Sequence, residues 1–383
     1  MTETGEGRQV GVEEELMLVD PETGRLRAVS DRALAAHRDV RSDEADDEAF
    51  GASGGLAQEL FLVQIETGTQ PTRDIAELVA DVRRCRQSAA ESARSAGAEL
   101  VATATAVIGG EDREVTRKTR YERIVGTFGE ISRQGSVCGM HVHVEVRDAA
   151  EAVKVIDRLR PWLPVLRAMS VNSPFYYGVD TGYASWRTQI WSRWPTAGPC
   201  EPYGDLSGYR QATDALIASG AALDRGMLYL DARVSEHYPT IEIRVFDVVS
   251  EPTDVGLLAA LTRALVDTLA ERSDGPVWRS DLTKAAHWLA SRDGLSRDLV
   301  EPFSAAPVSA RQVIERMIDH CGESLRRAGD LDRVSEGLDL LLARGTGATQ
   351  QRAAAERTGS MDGVVADLRE RFTASLSEPR QAN

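Results

Sequence analysis

Four short segments of the chain carry acids, histidines and an arginine at spacings that could do chemistry. In VGVEEELMLV, residues 10–19, Glu13 and Glu15 would share one face of an extended strand while Glu14 points to the other. CGMHVHVEV sets out His141, His143 and Glu145 in the same way, and PTIEIRVFD puts Glu242 and Arg244 opposite Ile241, Ile243 and Val245. The fourth segment, ELFLVQIETGT, holds Glu59 and Glu66 at its ends. Their odd spacing would send them to opposite faces of a regular strand, so a shared site there needs a bulge or a place in the turn Glu66-Thr67-Gly68.

Each segment alone has an ordinary reading. Glu13 and Glu15 could lie on a solvent-facing edge strand, but acids are poor strand formers and repel on one face, so embedded among valines and leucines they demand a cation. The two histidines suit a metal or phosphate contact, and would equally suit a zinc hydrolase. Glu242 and Arg244 alone could be a surface salt bridge. Taken together, a donor set made mostly of oxygen with one imidazole favours Mg²⁺ or Mn²⁺ over zinc. The sequence contains no G-x-x-x-x-G-K-[ST] loop and no strand-linked G-x-G-x-x-G turn, so a nucleotide would have to be held through metals. Several carboxylates gathering two or more divalent ions would neutralise a triphosphate directly. That is one way for a chain with a net charge of −15 to bind ATP. The same charge disfavours nucleic acid.

The elements that must position these groups follow from periodicity. Strands are expected at 10–19, 60–65, 98–108, 137–146, 227–234 and 240–248. A turn is expected at Pro21-Glu22-Thr23-Gly24, and an acidic then glycine-rich loop from Asp39 to Gly55. After Pro71, a helix carries Ile75, Leu78, Val79, Val82 and Cys85 at helical spacing and ends near Gly97. Residues 149–170 read as helix broken by Pro161 and Pro164, and residues 171–210, rich in tryptophan, tyrosine, proline and arginine, as an irregular binding loop. From about 253 to 376 the pattern is helical throughout. The whole chain, 1–383, is expected to be one catalytic domain with a core over about 8–300 and short mobile ends. The polar start MTETGEGRQ and the lack of any run of eighteen apolar residues point to a cytoplasmic protein with no membrane span. The four cysteines, Cys85, Cys138, Cys200 and Cys321, are far apart and read as reduced packing residues.

In their order and positions, GVEEE, ELFLVQIETGT, GMHVHVEV, WRTQIWSRWP and EIRVFD resemble the glutamate-cysteine ligase superfamily, and within it the type 2 carboxylate-amine ligases. The resemblance spans most of the chain. It implies an α+β, glutamine synthetase-like fold, in which a curved, mainly antiparallel sheet forms a funnel lined by metal ligands and backed by helices. It also implies metal ligation by Glu13, Glu15, Glu59, Glu66, His141 and Glu242, and contact of Arg244 with the transferred phosphoryl group. His143 stands where glutamine synthetases keep a second histidine, while Trp186, Arg187 and Arg193 fall in the loop that reads substrate carboxylates. The implied activity joins glutamate or a similar carboxylate to an amine such as cysteine, with ATP as cosubstrate, through an acyl phosphate. A homodimer would be in keeping with the family. The rivals are a zinc-dependent amide hydrolase and a noncatalytic nucleotide-binding relative.

Overall fold

The computed structural model describes residues 7–40, 55–111, 113–134, 136–272 and 275–377, with the backbone alone at 38–40. Residues 41–54 of the expected acidic, glycine-rich loop, and the expected mobile ends at 1–6 and 378–383, lie outside the described residues. The strands are β1 (Val10–Val19), β2 (Leu56–Gln58), β3 (Gln64–Gly68), β4 (Glu99–Val101), β5 (Gly139–Glu145), the small hairpin β6 (Phe175–Tyr176) and β7 (Val179–Asp180), then β8 (Ala232–Val234), β9 (Thr240–Asp247), and a second hairpin β10 (Asp298–Val300) and β11 (Pro307–Ser309). The main sheet runs β2-β3-β1-β5-β9-β8, with β4 pairing the far end of β1. Every pairing in it is antiparallel.

The helices preceding β8 are α1 (Ser30–Val40), α2 (Ile75–Ser95), α3 (Thr119–Phe128), α4 (Ala149–Leu159), α5 (Leu163–Ser170), α6 (Trp186–Trp191) and α7 (Leu206–Ala218). After β9 come α8 (Pro252–Glu271), α9 (Ser280–Asp293), α10 (Ala310–His320), α11 (Gly322–Ala328), α12 (Leu331–Arg344), α13 (Gly347–Thr358) and α14 (Met361–Ser375). Side-chain caps start several of them: Asp74 accepts from the Ala76 and Glu77 amides, and Asp148 from that of Glu151. The proline-interrupted stretch 149–170 divides into α4 and α5 as expected.

Alternation decides which face of the sheet is dry. Val10 and Val12 on β1, Met140, Val142 and Val144 on β5, and Ile241, Ile243 and Val245 on β9 are buried under α2, α4, α5 and α8. Helix α8 is buried on nearly every side and acts as a core helix beneath the sheet. A second cluster joins Leu16, Leu18 and Val101 to Val364, Leu368 and Phe372 of α14, so the C-terminal helices close over the far end of β1. One charge sits on this dry face. Glu14 is buried and takes two hydrogen bonds, 2.9 and 2.6 Å, from the fully buried Arg86 of α2. Arg86 also donates to the Val249 and Ser250 carbonyls, which ties β1, α2 and the entry to α8 together.

Three expected elements differ. The run 60–65 is not a strand; it is the connection between β2 and β3. Its backbone bonds instead to the 114–116 segment and to Val29 and Ser30, and burial of Phe61 and Val63 accounts for its strand-like composition. Only 99–101 of the expected strand 98–108 is ladder, because the Asn172 side chain and backbone take the bonds of Ala102 and Ala104. The stretch 171–210 is no single loop, since it contains the hairpin β6–β7, α6 and the start of α7.

Removing one partner of the Glu14–Arg86 pair leaves an uncompensated buried charge. Glu14→Gln is expected to lower unfolding stability by roughly 3–5 kcal/mol, measured by urea titration. A loss under about 1 kcal/mol, the range of an exposed pair, would contradict this account of Glu14.

Candidate active site

The antiparallel register sets the other face of the sheet as a staircase. Glu66 of β3 lies opposite Glu15 of β1, and Glu13 of β1 opposite His141 of β5. His143 of β5 then lies opposite Glu242 of β9, and Glu242 opposite Arg233 of β8. Directly paired residues on antiparallel strands point to the same face, so groups far apart in sequence become neighbours. Between Met140 and Val142 the β5–β9 register slips by one residue, leaving both Arg244 and Val245 to face His141. This bulge brings the Arg244 guanidinium back over the site. There it contacts Glu242 and comes within 3.5 Å of His141 Nδ1. Glu59, just past β2, needs no bulge: the hairpin turn carries it to the same cavity as Glu66.

The staircase lines a cavity of about 630 Å³ that takes in Glu13, Glu15, Glu59, Glu66, His141, His143, Glu242 and Arg244. Glu13 spans the two histidines, with Oε2 3.1 Å from His141 Nδ1 and Oε1 3.2 Å from His143 Nε2. Glu242 is held by Arg233 at 2.5 and 3.2 Å. Glu15 accepts the Gly139 amide at 2.6 Å.

Electrostatics divides the site in two. Burial alone would raise the Glu13 carboxyl, but His143 and then His141 bring it well below the usual carboxylate range. Burial would likewise raise Glu242, and Arg244 and Arg233 bring it far down. His141 is lowered to about 4, by burial and then by Arg244, so its 3.1 Å contact with Glu13 is a hydrogen bond of neutral imidazole and not an ion pair. At the other end, burial and then Glu59 push Glu15 up to about 7, and burial followed by Glu59, Glu13 and Glu15 raises Glu66 well above its ordinary value. One end is therefore a balanced network of acids and bases, and the other is a crowd of carboxylates short of positive charge.

The donor atoms fit divalent ions. Those of Glu13, Glu66 and His141 lie within 4.8 Å of one another, as do those of Glu13, His143 and Glu242. Each group offers two carboxylates and one imidazole. Among the described residues no gathered group contains both histidines, the set a two-histidine zinc site requires.

The loop residues separate. Asp247 accepts from the Asn172 amide, Ser173 Oγ and Ser185 Oγ at 2.7–2.8 Å and so fixes the start of α6. One helical turn then points Arg187 and Trp191 inward, at i and i+4. Arg187 packs against Gly139 so closely that a Cβ there would stand 2.3 Å from its Nη2. It lines a neighbouring cavity of about 420 Å³ rather than the larger one. Trp186 packs on Tyr183, and Arg193, on the exposed side, reaches Gln134 Oε1 at 3.3 Å; neither lines either cavity. Sequence reading passed over Arg233, Tyr121 and Tyr229, which line the larger cavity. The signal for Arg233 was there, since LDARV puts an arginine inside an expected strand.

The model of the glutamate-cysteine ligase family 2 matches residues 9–371. A protein of Frankia alni named "Putative glutamate--cysteine ligase 2-2" is 46% identical, over 98% of this chain and 100% of that one. Its counterpart "2-1" from Nocardioides sp. strain JS614 is 44% identical over 97% of each. Among solved structures, the glutamate-cysteine ligase of Francisella tularensis in complex with AMP superposes with a TM-score of 0.70 at 13% identity, covering 98% of this chain and 90% of that one. A bifunctional glutathione synthetase of Pasteurella multocida gives the same TM-score and identity, covering 97% of this chain and 53% of that one. At that identity the likeness speaks for the fold alone.

Glu13 belongs to both donor groups. Glu13→Gln is therefore expected to weaken Mn²⁺ binding at least about tenfold, measured by calorimetry on folded protein. Unchanged affinity would remove Glu13 from the metal site.

Proposed function

Because the chain belongs to the glutamate-cysteine ligase family 2, we propose that it is an ATP-dependent carboxylate-amine ligase that activates the side-chain carboxylate of glutamate or a similar acid and joins it to an amine such as cysteine. The observation that carries the proposal is the staircase itself. Five carboxylates and two histidines from β1, β3, β5, β9 and the β2–β3 turn converge on one cavity, together with Arg244.

A carboxylate is a poor electrophile, and its conversion to an acyl phosphate by ATP makes its carbon open to attack. Glu13, Glu15, Glu59, Glu66, His141 and Glu242 are the residues that would hold Mg²⁺ or Mn²⁺, two or more ions. Bound there, such ions would neutralise the triphosphate and draw charge from the phosphoryl oxygens. This chain's own residues supply the rest. Arg244, aimed by the bulge and held on Glu242, presents a fixed cation where charge gathers on the transferred phosphoryl group. Arg233 keeps Glu242 ionised and oriented. His143 binds Thr240 Oγ1 at 3.2 Å through Nδ1, which turns its Nε2 towards Glu13 and the cavity. The amine then forms the C–N bond, and phosphate leaves with the electron pair of the broken C–O bond.

The cations present suit this role in an acidic protein. Arg233 and Arg244 are committed to Glu242, so the triphosphate has few free positive charges at the carboxylate-rich end and depends on what the acids themselves recruit. With ATP, Mg²⁺, glutamate and a panel of amines, ADP and an amide of matching mass are the expected products. Glu15→Gln and Glu242→Gln are expected to abolish ADP formation while keeping the fold. Arg244→Ala is expected to lower turnover roughly a hundredfold or more with a much smaller change in ATP affinity. Wild-type turnover in the two glutamine variants, or amide cleavage that needs zinc and ignores ATP, would reject the ligase reading.

A further inference from the structure

Beside the larger cavity, and sharing Arg244, Trp191 and Tyr229 with it, lies the second cavity of about 420 Å³. Its walls carry an unusual concentration of buried polar atoms that have no hydrogen-bond partner: Arg187 Nε, Arg244 Nε, Asp231 Oδ2, and both ring nitrogens of His287. Asp231 and His287 are more than nine-tenths buried. A buried donor or acceptor left unmade costs about 1–3 kcal/mol, so a protein does not gather several around one hollow unless something completes them.

The chemistry of these atoms is mixed in sign. Arg187 is a cation short of an anion. Its nearest acid, Asp247, stands 4.0 Å away and is already occupied by Asn172, Ser173 and Ser185, while its Nη2 reaches the Arg244 carbonyl at 3.5 Å. Asp231 is an anion only half used. Oδ1 accepts from Arg167 at 3.0 Å, and Oδ2 has His287 Nε2 at 3.3 Å without the alignment of a hydrogen bond. The His287 ring is kept neutral, first by burial and then by Arg167, so this contact is not an ion pair. Lys284 and Asp281 of α9 add one charge of each sign to the lining. A purely anionic ligand would meet Asp231 and a purely cationic one Arg187. A zwitterion satisfies both.

We propose that the second cavity holds the amine substrate as an α-amino acid, its carboxylate on Arg187 and its ammonium on Oδ2 of Asp231, which accepts the proton that must leave before the nitrogen can attack. This rests on the ligase reading and adds to it a substrate class and a base. An ammonium has no lone pair. One N–H proton passes to Asp231; the freed nitrogen adds to the carbonyl carbon of the acyl phosphate, next to Arg244. As the tetrahedral adduct collapses, the C–O bond to phosphate breaks, the electron pair goes to phosphate, and the second N–H proton leaves with it. Backbone pairing supports the placement, because the Arg244 amide donates to the Asp231 carbonyl at 2.9 Å, fixing base and phosphoryl-binding arginine side by side. Burial raises the Asp231 carboxyl against the opposing pull of Arg167, which suits a group that must take up a proton.

Hydroxylamine separates the two halves of the argument. It is neutral and nucleophilic near neutral pH and carries no carboxylate, so it traps an acyl phosphate as the hydroxamate without help from Asp231 or Arg187. With ATP, Mg²⁺ and glutamate, Asp231→Asn is expected to lose at least about a hundredfold in amide formation with cysteine and other amino acids, yet to keep hydroxamate formation within a few fold of wild type. Arg187→Lys is expected to raise KM for the amino acid more than it lowers kcat. Equal retention of both products in Asp231→Asn would overturn the proposal. If that variant does not fold, wild-type enzyme decides: amino acids should exceed their decarboxylated amines in kcat/KM by about a hundredfold or more, since a site built for a carboxylate rejects an analogue lacking it. Comparable values for cysteine and cysteamine would overturn it. Absence of hydroxamate, ADP and amide in wild type would instead sink the underlying ligase reading.

Discussion

Glu15 and Glu66 face each other across β1 and β3, with Glu59 beside them, and no arginine holds that end of the site. Like charges directly opposed on a sheet are unfavourable, and burial makes them more so. A chain keeps such an arrangement when a cation is meant to complete it. Much of the rest of the structure serves that crowding: β1 as the strand that pairs on both sides, a core of valine, isoleucine and leucine beneath it, and the Glu14–Arg86 pair that locks β1 to α2 from behind.

The two ends of the staircase divide the labour. Around His143, Glu13, Glu242, Arg233 and Arg244 the charges are matched, and the geometry is rigid without any added ion. Around Glu15, Glu59 and Glu66 they are not. A triphosphate laid across such a gradient would meet recruited metal at one end and fixed guanidinium at the other, so the reacting phosphoryl group can be held in line with no glycine-rich loop. The neighbouring cavity extends the pattern, with Arg244 as the wall that both share.

Much of this was legible in the sequence because a period of two is a strong signal: VGVEEELMLV, GMHVHVEV and EIRVFD display their active faces directly, and β1, β5 and β9 lie where expected. What could not be read was register. Nothing local says that Glu13 meets His141 or that Glu242 meets Arg233; those pairings depend on which strand lies beside which. Glu59 posed a false difficulty, because a buried apolar run looks the same in a hairpin connection as in a strand, and Phe61 and Val63 are buried without being in the ladder. The β9 bulge that aims Arg244 leaves no sequence mark of its own. Trp186 and Arg193, grouped with Arg187 by composition, part from it once a single turn of helix sets their directions. Asp231 and His287 gave no sign, since each becomes notable only when its missing partners can be counted.

The central claim is that the acidic face of the sheet is a platform for divalent cations, and the direct measurement is anomalous diffraction from crystals grown with Mn²⁺ and a nonhydrolysable ATP analogue. Peaks are predicted between Glu13, Glu66 and His141 and between Glu13, His143 and Glu242, with oxygen-rich coordination completed by phosphate and water. A fully ordered staircase with no anomalous peak, or a single ion bound by His141 and His143 together, would contradict the account.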